Sequence, residues 1–73
     1  MPLIVFRGAV LLREWRERRG LTQAAAAAEL GIDPWYYSKI EQGRRRPGRA
    51  LSETLRVRVR VPISSWEVIA EAA

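Results

Sequence analysis

Residues 20–43, GLTQAAAAAELGIDPWYYSKIEQG, leave the chain few conformational choices. Thr22 stands just before QAAAAAEL, where its side-chain oxygen can accept one of the orphan N–H groups of a first helical turn. Gly31 follows that run, at the place where a residue of unrestricted φ closes a helix. Asp33 and Pro34 then repeat the start signal, with a capping acid and a proline at the first helical position, where a missing N–H costs nothing. Gly43 stops the second run after about Gln42. The five alanines lose no side-chain entropy and let a neighbouring helix come close, at the expense of buried area. Two short helices joined at a glycine turn make a helix-turn-helix unit over about residues 22–42.

The flanking sequence supplies further elements. Residues 9–19, AVLLREWRERR, read as a first helix: Leu11, Leu12 and Trp15 make one apolar stripe, with Arg13, Glu14, Glu17 and Arg18 on the outer side and Gly20 as the stop. After the RRRPGR loop, a fourth helix runs from Arg49 or Ala50 to about Val57. The reading there is divided, because LRVRVRV over 55–61 alternates with the period of a half-buried strand and uses β-branched valine. A strand at 57–61 would find a partner in the N-terminal PLIVF. Ser64 and Glu67 are spaced as a capping box for a short last helix, with Trp66 and Ile69 on its apolar face.

Seventy-three residues make a single domain, 1–73, with a small core. No Cys or His is present, so disulfides are excluded and a metal lacks its best ligands; no metal and no cofactor is expected. Stability must come from helix packing or self-association, for which segments 1–7 and 57–73 are the candidate surfaces. The apolar runs fall far short of the ~20 residues of a membrane span, and the N-terminal run lacks a basic leader, so a soluble, cytoplasmic protein is expected. Charge is unevenly placed: residues 1–43 are near balance, whereas 44–60 carry seven Arg against the single Glu53. Such a cluster fits a polyanion partner or a solvated basic face.

At 3.6 residues per turn, Tyr37, Ile40 and Glu41 share one side of the third helix, while Trp35, Ser38, Lys39 and Gln42 share the other. Tyr36 lies between them, nearer Ile40. If the first group faces the core, the second faces outward and can enter a DNA major groove, which is wide enough for a helix. Lys39 and Gln42 would then bond base edges or nearby phosphates, and Trp35 would pack on thymine methyls or sugar–phosphate. The alternative makes Trp35 and Tyr36 a protein-binding patch, where aromatics are enriched too. Gln23 opens the second helix, where free N–H groups welcome a phosphate. Arg44, Arg45, Arg46 and Arg49 would run along the DNA backbone, setting affinity and register rather than sequence preference.

The run LREWRERRGLTQAAAAAELGIDPWYYSKIEQGRRRP resembles the Cro and phage-repressor type of helix-turn-helix protein. In register are Leu12, Arg16, Arg19, Gly20, Leu21, Thr22, Gln23, Ala27, Leu30, Gly31, Ile32, Ser38, Ile40, Glu41, Gly43 and Pro47, over about half the chain and without gaps. Pro62 and Trp66 weakly resemble the Pro-x-x-x-Trp ending of compact members. The resemblance implies an all-α, compact four- to five-helix bundle, a phosphate clamp at Gln23, and a buried pair between Arg16 and Glu41. Three positions depart from the family's pattern. Ala26 stands for a leucine and thins the core. Tyr37 stands for Ile or Leu, so its ring should be partly buried, with the hydroxyl on water or a polar group. Asp33 stands for Ser and keeps the cap.

These features point to a DNA-binding transcriptional regulator, a repressor occupying a two-fold operator as a homodimer, rather than an enzyme. The alternative is a protein-interaction module on the same scaffold, such as an antitoxin or a phage protein that holds another protein.

Overall fold

The computed structural model describes residues 4–66 and 68–71. Its order is β1 (Ile4–Phe6), α1 (Arg7–Arg18), α2 (Gln23–Leu30), α3 (Pro34–Glu41) and α4 (Arg49–Thr54). A π-helical extension (Leu55–Val59), a 3-10 turn (Ile63–Trp66) and β2 (Val68–Glu71) complete the chain. The architecture is all-α at heart, four helices around one core, with a short two-stranded ribbon joining the chain's ends.

Helix α1 begins at Arg7, two residues before the sequence suggests, and buries Leu12 and Trp15. Gly8, in this first turn, makes room for Trp66: a Cβ there would sit 2.6 Å from Cε2 of the Trp66 ring, which lies against the helix. The caps of α2 and α3 form as their residues dictate. Thr22 Oγ1 accepts from Ala25 N at 3.1 Å, and Asp33 Oδ1 accepts from Trp35 N at 2.8 Å. Gly31 closes α2 with φ 72°, in the region that favours glycine. Ala26 and Ala27 are completely buried, so α2 lies close against its neighbours with almost no side-chain volume between.

Three expectations are corrected. Residues 57–61 do not form a strand; the chain stays helical through Val59. The alternation of LRVRVRV loses to the i, i+4 spacing of Leu51, Leu55 and Val59, all three buried, while Val57 is left 63% exposed. A half-buried strand would have hidden Val57 together with Val59 and Val61. Arg60 ends this helical run with φ 65°. The strand at the N-terminus does form, but its antiparallel partner is β2, in the register Ile4↔Glu71, Val5↔Ala70 and Phe6↔Val68 with an irregularity between Val5 and Phe6. The last helix is a single 3-10 turn that gives way to β2. Glu67, the second half of the expected capping box, and the side chain of Ile69 lie outside the described residues. Trp66 itself is buried and belongs to the core.

Candidate nucleic-acid interface

Helix α3 has two faces with different tasks, and the inner one is fixed by a carboxylate. Tyr37 and Ile40 are fully buried, and Glu41 is 9% exposed. Arg16 of α1 donates to Glu41 twice, from Nε to Oε2 at 2.8 Å and from Nη2 to Oε1 at 3.0 Å. Gln23 Nε2, at the start of α2, donates to Oε1 at 2.9 Å, and the Tyr37 hydroxyl donates to Oε2 at 2.7 Å. Arg16 also donates to the carbonyl of Leu21 at 3.0 Å, in the turn before α2. One carboxylate therefore takes donors from all three helices, and each of its oxygens accepts two.

Burial alone would raise the pKa of Glu41, but the hydrogen bonds from Arg16, Gln23 and Tyr37 outweigh it and hold the carboxyl below its usual range. Burial, and then the bond to Glu41, push the Tyr37 hydroxyl upward, so it stays protonated as a donor. The bond to Glu41 likewise raises Arg16. The pair implied by the resemblance is present. Tyr37 differs from expectation: its ring is completely rather than partly buried, and its polar partner is Glu41, one turn along the same helix. That i, i+4 spacing was available in the sequence as a signal. Gln23 gives a second difference, since its amide is engaged with Glu41, while its backbone stands at the open end of α2 as expected.

The outer face carries Trp35, which is 61% exposed, with Ser38, Lys39 and Gln42 around it. These four form two i, i+4 pairs. Lys39 Nζ lies over the Trp35 ring, 5.3 Å from its centroid. Gln42 Nε2 donates to Ser38 Oγ at 2.8 Å. Both pairings hold long side chains against the helix, which lowers the entropy lost when they are ordered by a ligand.

Beyond α3, Gly43 adopts φ 76° and Arg44 N donates to the carbonyl of Lys39 at 2.9 Å, closing the helix and launching the basic loop. Tyr36 braces that loop: its hydroxyl accepts from Gly48 N at 3.0 Å, and the Arg45 guanidinium lies 5.6 Å from its ring centroid. No spacing rule in the sequence links Tyr36 to Gly48. Arg46 leans over the Phe6 ring at 5.5 Å, on the side of the loop nearer β1.

Of the seven arginines in residues 44–60, only Arg56 is bonded to a carboxylate among the described residues. Glu53 is bonded to Arg56 and Glu29 to Arg19, while Arg58 donates to the backbone carbonyl of Glu29 at 2.8 Å. Among the described residues, Arg44, Arg45, Arg46 and Arg49 have no carboxylate partner. Arg44 and Arg45 lie next to α3, through the bond from Arg44 N to Lys39 and the Arg45 guanidinium over Tyr36.

Comparison with known proteins agrees with this geometry. A helix-turn-helix family model, of the XRE type, matches residues 12–60, from the Leu12 stripe of α1 to the end of the π-helical extension. Neither the curated proteins nor the solved structures yield a match. The family is one of DNA-binding regulators rather than enzymes, and no helix among the described residues is long and apolar enough to cross a membrane. With two thirds of its residues inside the matched segment, this chain belongs to the XRE-type helix-turn-helix family of DNA-binding regulators.

Proposed function

We propose that the protein is a sequence-specific transcriptional repressor that occupies a two-fold operator as a homodimer, each copy laying α3 in the major groove. The observation that carries this reading is the division of α3 itself. One face is anchored by Glu41, the opposite face presents Trp35, Ser38, Lys39 and Gln42, and the loop that follows carries Arg44, Arg45, Arg46 and Arg49, which have no carboxylate partner among the described residues.

In this reading Lys39, Gln42 and Ser38 address base edges, and Trp35 packs on them. Arg44, Arg45, Arg46 and Arg49 follow phosphates, as does the start of α2 at Gln23. Tyr36 serves the interface through the loop it braces and the edge of its ring. A domain this small presents few contacts, so two copies on half-sites about one helical turn apart give the affinity that one lacks. Exposed Val57 and Ile63, together with the open edges of the β1–β2 ribbon, support such self-association.

A gel-shift assay against random duplex fragments at two salt concentrations tests the proposal. Retention of particular fragments at the higher salt is the expected result. Salt-sensitive binding to every fragment, or none, would instead favour a protein-interaction module, for which the exposed Trp35 is the supporting feature. Four phosphate contacts per copy contribute roughly −3.6 to the slope of log K against log salt, so the dimer is expected to show a slope of roughly −7.

A further inference from the structure

The Trp35–Lys39 pair has a chemistry that restricts what it can read. Trp offers an apolar edge and a single donor, Nε1–H; Lys offers donors only; neither has an acceptor. In the major groove, adenine N6 and cytosine N4 are donors and find nothing here to accept them. Thymine presents a C5-methyl and the O4 acceptor; adenine sets one acceptor, N7, beside its N6 donor, whereas guanine presents two acceptors, N7 and O6, and so offers the ammonium the better site. The neighbouring pair is different in kind. Gln42 spends one N–H on Ser38 Oγ at 2.8 Å, which leaves its carbonyl oxygen as an acceptor and its second N–H as a donor.

The geometry makes Trp35 and Lys39 one unit. Lys39 Nζ covers one face of the indole at 5.3 Å from the centroid, yet the Trp35 residue remains 61% exposed. The free surface is therefore the other face and the edge, an apolar plate beside an ammonium group. Residues four apart on a helix are separated by about 6 Å along its axis, less than two base steps of about 3.4 Å. A methyl lying against the plate and an acceptor meeting the ammonium must then belong to the same or neighbouring base pairs. A phosphate would satisfy Lys39 but leave the Trp35 plate exposed to water.

We propose that Trp35 and Lys39 together read a pyrimidine C5-methyl group next to a guanine acceptor edge, making Trp35 a specificity-determining residue rather than a backbone contact. This rests on the reading of α3 as the groove-facing helix. The shared chemistry is the methyl group, carried by thymine or by 5-methylcytosine.

The experiment begins by selecting duplexes from a random pool with the wild-type protein. Each thymine of the selected site is then replaced by uracil, and each guanine by 7-deazaguanine, one at a time. At one thymine, removal of the methyl is expected to weaken binding about fourfold, the value of one buried methyl-sized group. A cytosine placed there should bind about fourfold more weakly than its 5-methyl derivative. Trp35→Ala should abolish both differences, and Trp35→Phe should retain part of them. Lys39→Met should abolish the sensitivity to 7-deazaguanine while keeping that to uracil. Circular dichroism melts of each variant check that the fold is intact, as the exposure of Trp35 leads one to expect.

Selection of a site in which uracil is tolerated everywhere would overturn this inference and leave the proposed function standing. So would methyl sensitivity that persists in Trp35→Ala, or methyl- and N7-sensitive positions that are not in the same or neighbouring base pairs. Failure to select any site overturns the proposed function, and this inference with it.

Discussion

Glu41 sits where a carboxylate is costly unless its lone pairs are filled, and here two helices besides its own help to fill them. Glu41→Ala leaves the Arg16 guanidinium and the Tyr37 hydroxyl without their acceptor, and is expected to cost roughly 3–5 kcal/mol in urea denaturation. An unchanged midpoint would remove Glu41 from its structural role. Tyr37→Phe deletes one hydrogen bond to a charged acceptor and should cost about 1.5–3 kcal/mol by the same measurement. The two losses should not add, because both residues share one network. The pH dependence follows from direction alone. The folded-state pKa of Glu41 is depressed, so its contribution is complete above the unfolded value of about 4.3 and is lost as pH falls through the folded one. Thermal melts from pH 7 down to pH 3 should show wild type losing its advantage over Glu41→Gln below about pH 4.

At the level of elements, the caps and the two faces of α3 were legible in the sequence because each rests on a local rule: a side-chain oxygen at the N-cap, glycine after the last turn, and a 3.6-residue period. Residues 55–61 were not legible. Two periods overlapped there, and only the core, by accepting Leu51, Leu55 and Val59 and leaving Val57 outside, decides between them. The terminal ribbon was half legible, since β1 was visible as a strand while its partner depended on where the chain returns. The bond from Gly48 to Tyr36 was hidden for the same reason, being a tertiary contact without a spacing rule. The basic loop supplies the prediction at this scale. Arg45→Ala should reduce the salt slope of DNA binding by about 0.9 per copy, about 1.8 for a dimer, and leave the preferred sequence unchanged. Measuring binding at four or more salt concentrations on selected and scrambled duplexes checks both halves of that statement.

For the whole molecule, the end of the chain stabilises its beginning. The Trp66 ring rests on Gly8 in the first turn of α1, and β2 pairs with β1 just before it. Gly8→Ala places a methyl inside the van der Waals radius of the indole, and overpacking of this kind costs about 1–3 kcal/mol. Trp66→Ala removes the ring altogether, with an expected loss of about 3–5 kcal/mol. Because neither change touches α3, both variants should keep the base preference of wild type at temperatures where they remain folded. A melt paired with a binding titration at low temperature distinguishes this outcome from a shared effect on both properties. Self-association is read at the same scale: a dimer requires the thermal midpoint to rise with protein concentration, whereas a monomer's does not move.

The separation of α3 into an anchored side and an outward side has a practical consequence. Tyr37, Ile40 and Glu41 hold the helix at a fixed height and rotation, and none of them belongs to the outward set of Trp35, Ser38, Lys39 and Gln42. Those four positions form a cassette that can be rewritten without renegotiating the fold. On the proposed reading of α3, retargeting the protein to another DNA site becomes a matter of four codons, with melting temperature as the control that should barely move.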